Sequence, residues 1–256
     1  MPATAFPEVP VEDLEARPFQ TILCYPRPSD EEANRRTREL ATLSVEALIF
    51  SGPTQIGGLS VLGKGHVGVV VRCVWRGRRA AVKIRRVDAD RADLKAEGEV
   101  LSRANAVGVG PTLLASSPNF IVMEEVRGRP LLDWLEKMDE VDAEHFRKAL
   151  RTICEQARML DVGGIDHREL SDPRRHVVVK GSGEVHLLDF ETAGLGDRKR
   201  NVNSVLQYLT MAKPYGAKVL AKLGAEEAEV LSALKAYRAS PTDVSYEALL
   251  KALGLS

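Results

Sequence analysis

The chain has 256 residues, enough for one large domain or two small lobes with ample core. Lys plus Arg and Asp plus Glu both number 36, so the net charge of +0 supplies no global field to attract nucleic acid or a membrane surface. No apolar run approaches the length of a membrane span and the opening residues lack the regions of a signal peptide, so a soluble, cytoplasmic protein is expected.

The three cysteines, Cys24, Cys73 and Cys154, are far apart and odd in number, which argues against a disulfide framework or a zinc knuckle and for plain burial. Residues 1 to 28 are punctuated by prolines and read as irregular. Ser29 to Glu32 then forms a capping-box pattern, and Leu40, Leu43 and Leu48 give an apolar stripe that predicts one helix up to about Phe50.

Three apolar, β-branched runs follow: Leu59–Leu62, Val67–Trp75 and Ala80–Ile84, the last two separated by the turn Arg76–Arg79. This pattern predicts a β-meander. The segment from Gly63 to Val70 fits G-x-G-x-x-G-x-V, with Gly63, Gly65 and Gly68 at the tip of the first hairpin, where a backbone without Cβ atoms can approach a phosphate closely. A dinucleotide fingerprint would need a helix straight after the glycines, and here a strand follows. Period-two alternation puts Lys83 on the face opposite Val82 and Ile84, and a lysine facing inward from a central strand needs an anionic partner.

Asp88 or Asp90 can cap a helix to about Ala106. On it Glu97 falls within the stripe of Leu94, Leu101 and Ala104, whereas Glu99 lies with Lys95 and Arg103 on the polar face. The spacing therefore predicts a Lys83–Glu97 ion pair. Gly108 to Pro111 ends this part, Thr112–Ala115 and Phe120–Met123 read as strands, and Val122–Gly128 reads as a linker. Asp142 caps a longer helix carrying Phe146, Leu150, Ile153, Ala157 and Leu160, which ends at Gly163 and Gly164. Two charged loops, 165–175 and 189–191, flank a small hairpin of Val177–Val179 and Val185–Leu188. Asn201 or Asn203 can cap a helix from Val202 to Leu223, and residues 226–254 read as helical.

Taken in order, these parts resemble the protein-kinase fold over roughly residues 59 to 210. The likeness is carried by Leu62–Gly65, Ala81–Ile84, Glu97–Leu101 leading to Gly108–Pro111, Val122–Glu125, His167–Leu170 and Leu188–Phe190. The chain most resembles atypical protein kinases of the RIO and KEOPS-kinase type, and especially an archaeal group of predicted serine/threonine kinases. The resemblance implies an α+β, two-lobed fold: a helical N-terminal extension over 1–58, a small β-rich N-lobe over 59–125 and a reduced, mostly helical C-lobe over 126–256.

It also implies ATP and magnesium as cofactors. By position, Val70 and Ala81 would close over the adenine, Met123 would sit at the gatekeeper position, and the backbone of Glu124 and Val126 would meet the adenine edge. Lys83, held by Glu97, would touch the phosphates, and Asp189 would hold the metal.

The kinase pattern expects Asp at 169 and Asn at 174, where this chain has Glu169 and Arg174. Glu169 keeps the carboxylate and becomes the candidate proton acceptor. Arg174 cannot bind a cation, and sliding the loop by two residues offers His176 as the second metal ligand. Asp172 is a further candidate, or a turn residue before Pro173. Glu191 stands where the usual glycine follows Asp189 and Phe190, as in small-molecule kinases. No A-P-E triplet follows, so no long activation loop and no control by its phosphorylation are expected. Arg174, Arg175 and Arg198–Arg200 flank the site, either as a solvated surface or as a dock for an acidic or nucleic-acid partner.

Three functions fit: an ATP-dependent serine/threonine protein kinase with an unidentified protein substrate, a kinase with a small-molecule acceptor, and a nucleotide-binding pseudokinase or switch.

Overall fold

A computed structural model describes residues 8–196 and 200–256. The described residues divide into two compact units, one holding those up to Glu99 together with Thr112–Glu125, the other Val100–Pro111 with Val126–Ser256. The architecture is mixed α+β, β-rich toward the N-terminus and mostly helical toward the C-terminus, consistent with a kinase-like fold.

The first unit opens with β1 (Glu8–Pro10), the one-turn helix α1 (Gln20–Leu23) and α2 (Asp30–Thr42). Then come β2 (Val45–Ile49), β3 (Thr54–Ile56), β4 (Leu59–Val61), β5 (Gly63–Lys64), β6 (Gly68–Trp75) and β7 (Arg78–Arg85). It is completed by the start of α3 (Lys95–Ala106), by β8 (Leu113–Ser116) and by β9 (Phe120–Met123). The main sheet runs β1-β2-β6-β7-β9-β8, with β5 added alongside β6.

The helix expected from Ser29 to Phe50 stops at Thr42. Ser29 does cap it, accepting from Glu32 N–H, but Ser44 adopts φ 63° and the run Val45–Ile49 pairs with β6 instead. Leu48 is thus a sheet residue, buried with Val9 of β1, which the reading of residues 1–28 as irregular also missed. Strand pairing at a distance of some 25 residues overrides the local helical spacing.

In β6 and β7 the register sets Val69, Val71 and Cys73 opposite Ile84, Val82 and Ala80. This face shares one core with Val11, Leu14, Ile22, Leu23, Ala33 and Leu40, so the N-terminal segment covers it. The other face carries Val70 opposite Lys83, Arg72 opposite Ala81, and Met123 of β9 opposite Ala81. The turn is shorter than expected: Arg76 and Gly77, both with positive φ, join the strands directly, as a two-residue hairpin requires.

The α3 helix begins at Lys95, later than a cap at Asp88 or Asp90 predicts. The Asp88 carboxylate is taken by Arg86 (2.8 Å), and Asp93 Oδ1 accepts from Lys95 N–H instead.

The second unit contains β10 (Arg129–Pro130), α4 (Leu131–Glu136), α5 (Ala143–Val162), β11 (Ile165–Asp166), β12 (Val177–Val179), β13 (Val185–Leu187) and β14 (Gly194–Leu195). Four helices follow: α6 (Asn201–Met211), α7 (Gly216–Leu223), α8 (Glu227–Ala239) and α9 (Asp243–Ala252). Asp142 caps α5, and its apolar stripe, Phe146 to Leu160, is buried. The single helix expected over 202–223 is two, because Pro214 cannot continue the first. Asn201 is not the cap but the first helical residue, and its side chain is used elsewhere.

All three cysteines are fully buried and unpaired, and burial pushes the thiols of Cys73 and Cys154 up to about 12 and raises that of Cys24. None should react with a thiol-specific disulfide reagent at neutral pH in the native chain, and all three should react in denaturant; rapid native labelling of any one would contradict their burial.

Candidate functional site

In the first unit the glycine-rich hairpin is tied back to its surroundings. Gly65 N–H donates to Gly68 O (2.8 Å), and Gly65 O accepts from Arg86 Nη1 (3.0 Å). Arg86 is held in turn by Asp88 and lies over the Tyr25 ring, 5.2 Å from its centroid, while Lys64 Nζ donates to the Tyr25 hydroxyl (3.3 Å). Gly68 has a specific steric role. A Cβ there would come within 2.9 Å of Lys83 Cγ, so the glycine lets Lys83 run flat beneath the hairpin. Gly63 has room for a Cβ and an ordinary φ.

Lys83 and Glu97 are both buried, and Lys83 Nζ donates to Oε1 at 2.7 Å and Oε2 at 2.9 Å. Two elements make the pair. Strand alternation turns Lys83 inward, and Glu97 stands in the first turn of α3, where the positive end of the helix dipole favours a carboxylate. Met123 shares the Lys83 face, and Glu124 N–H is engaged by Thr112 O (2.9 Å). Val126 belongs to the second unit.

In the second unit a loop and a hairpin bring three groups together. His176 Nε2 lies 2.8 Å from Glu169 Oε2, and His176 Nδ1 lies 3.9 Å from Asp189 Oδ2. One ligand atom from each of Glu169, His176 and Asp189 falls within 4.8 Å of the others. The hairpin sets this spacing: His176 immediately precedes β12, Asp189 is the second residue after β13, and Leu188 N–H donates to His176 O (2.7 Å). Asp189 and Arg168 both hold positive φ, 65° and 68°, conformations that cost non-glycine residues energy.

His167 is fully buried and burial pushes its pKa down to about 4, so it is neutral near pH 7. Its Nε2–H donates to Leu188 O (3.0 Å), and its ring packs on Phe190. The side of Phe190 also closes on Gly110, where a Cβ would lie 2.8 Å away.

Two of the sequence candidates are committed elsewhere. Arg174 pairs with Asp172 at 2.6 and 2.5 Å, and this guanidinium holds the Asp172 carboxyl below its usual range. Asp172 therefore behaves as the turn alternative. Arg200 pairs with buried Asp166 (2.7 Å), and Arg198 and Lys199 lie outside the described residues.

The sequence missed what holds the 165–169 loop. Asn201 Oδ1 accepts from His167 N–H (3.0 Å), and its Nδ2 donates to Ile165 O (2.7 Å) and Asp161 Oδ1 (2.8 Å). Asp161 also accepts from the N–H groups of Asn201 and Val202 and from the Tyr237 hydroxyl. Burial pushes its carboxyl up, against the hydrogen bonds that favour the charged form. The only sequence signal was an Asp on the inner side of α5 and an Asn after a loop, the ordinary pattern of a cap.

No family model matches the chain. Among curated proteins it is 25% identical over 149 residues to ribosomal protein S6 kinase 2 alpha of Xenopus laevis, covering 57% of this chain and 20% of that protein. It is 28% identical over 146 residues to the liver/testis phosphorylase b kinase gamma catalytic chain of Rattus norvegicus, covering 51% of this chain and 36% of the relative. The chain is similar to protein kinases. It spans about a fifth to just over a third of the length of these relatives. Among the described residues no helix is long and apolar enough to cross a membrane.

Proposed function

We propose that the chain is an ATP-dependent phosphotransferase of the atypical, RIO-like kind, acting in the cytoplasm on a serine or threonine hydroxyl of a protein, with residues 59–125 and 126–256 as its lobes. The observation that carries this reading is the buried Lys83–Glu97 pair beneath the glycine-rich hairpin, on the sheet face shared by Val70, Ala81 and Met123. A buried lysine with two carboxylate contacts is held rigidly, and its fixed positive charge would be placed to meet a phosphate oxygen. Val70, Ala81 and Met123 would bound the adenine, with the backbone of Glu124 and Val126 at its edge, and Gly63, Gly65 and Gly68 would cover the phosphates.

Asp189 and His176 fit a divalent metal, because His176 Nδ1 is buried without a hydrogen-bond partner among the described residues and sits beside a carboxylate. Bound Mg-ATP would supply the phosphoryl group together with a metal that offsets its charge. Glu169 would accept the proton of the attacking hydroxyl. Incubation with γ-labelled ATP should label serine on the chain itself or on a supplied protein, and Asp189→Asn and Glu169→Gln should each remove that label. Bound nucleotide with no transfer by the parent chain would instead favour a nucleotide-responsive switch, the reading suggested by the engagement of Glu169 with His176. Label found on a metabolite would favour a small-molecule acceptor.

The tether on the hairpin yields a separate prediction. Arg86→Ala frees Gly65 O and loosens the loop, and should weaken ATP binding by roughly three- to tenfold with little change in unfolding temperature. An unchanged affinity by calorimetry would show that the tether does not order the phosphate loop.

A further inference from the structure

The order of contacts around His176 says more than its presence. Nε2 is 2.8 Å from a carboxylate oxygen of Glu169, so this nitrogen carries the proton and donates it. The other nitrogen, Nδ1, then presents a lone pair. It is buried, has no hydrogen-bond partner among the described residues, and faces Asp189 Oδ2 across 3.9 Å. That gap is too long for a hydrogen bond and short enough to be spanned by two metal bonds of about 2.1 Å. A carboxylate behind an imidazole whose far nitrogen is bare is the arrangement that orients histidine toward a metal.

We propose that His176 Nδ1 and Asp189 hold one divalent cation, that Glu169 positions His176 for it, and that the imidazole makes this site select a first-row transition ion over magnesium. This rests on the reading of Asp189 as a metal ligand. The chemistry is that of the donor set. Magnesium strongly prefers oxygen and keeps its water, whereas a mixed nitrogen and carboxylate set binds first-row transition ions more tightly. Arg174, at the position where an amide oxygen is expected, is tied to Asp172 and offers nothing to compete with His176. On this account the carboxylate of Glu169 is oriented toward His176, so replacing it changes metal affinity as well as turnover.

The test uses Mn2+ as the probe, on the full chain without nucleotide. Electron paramagnetic resonance would follow the free ion during titration, and electron spin-echo modulation would look for nitrogen-14 bound to it. The expected result is one bound Mn2+ showing nitrogen modulation, displaced by Mg2+ only at an excess of about tenfold or more. His176→Asn should abolish the modulation and invert the preference. Glu169→Gln should weaken Mn2+ by about 10- to 100-fold while keeping the modulation.

Bound Mn2+ without nitrogen modulation in the parent chain, or displacement by equal Mg2+, overturns the proposal without depending on any variant's folding. Binding of Mg-ATP, measured separately by calorimetry, keeps the two claims apart. If ATP fails to bind while the nitrogen signal is present, the nucleotide reading fails and the cation site stands.

Discussion

Replacing Arg36 by alanine should lower the unfolding free energy by about 3–5 kcal/mol, one of the largest single-residue losses in the first unit. Arg36 lies on α2 with no exposed side-chain surface. It pairs with Glu32 (2.5 Å) and donates to Leu23 O (2.8 Å), Arg85 O (2.5 Å) and Asn119 Oδ1 (3.3 Å). One guanidinium thus joins α2, α1, the end of β7 and the turn before β9. Truncation takes the donor from the buried contact at Leu23 O, at about 1–3 kcal/mol, and from the part-buried one at Arg85 O, at less, and leaves a cavity. Lysine keeps the charge but not the fork, so Arg36→Lys should recover only part of the loss. Urea unfolding checks this: a midpoint for Arg36→Ala within experimental error of the parent would show that α2 is not anchored through Arg36.

The second large effect falls on the loop of the second unit. Asn201→Ala removes the acceptor of His167 N–H and the donor to Ile165 O and Asp161, and should cost about 2–4 kcal/mol in stability. Its effect on phosphate transfer should exceed what stability explains, about 100-fold or more at a temperature where the variant is fully folded, since a shift of about 1 Å in Glu169 misplaces the proposed proton acceptor. Asn201→Asp makes the sharper test. It keeps an oxygen for His167 N–H but turns the 2.8 Å donor contact with buried Asp161 into a clash of carboxylates, so it should be less stable than the alanine variant. Equal stability of the two would mean that the Asp161 contact is not the anchor.

These two side chains also mark what the sequence could not disclose. The hairpin of β6 and β7, the inward Lys83, its partner Glu97 and the capped helix α5 are written in local spacing, so periodicity and capping reveal them. Arg36 meets acceptors 13 and 49 residues away, and in the sequence it is one more cation on a charged helix. The helical pattern that runs through Leu48 is locally sound and is overridden by pairing with β6, a partner visible only in three dimensions. Asn201 carries the ordinary signature of a helix cap, and only the folding back of Asp161, Ile165 and His167 around it gives its amide another use. His176 is an intermediate case. Shifting the loop by two residues picks it out, yet its contact with Glu169, which fixes which nitrogen is bare, depends on how the loop folds back.

The most direct test of the central claim is a calorimetric titration of ATP into the parent chain and into Lys83→Ala, each checked for folding by its thermal transition. The account predicts saturable binding of one ATP per parent chain, weakened by about 10- to 100-fold in the variant, in line with the loss of one charge-assisted hydrogen bond. Equal affinities in two folded proteins, or no binding by the parent, would contradict a nucleotide site beneath the glycine-rich hairpin.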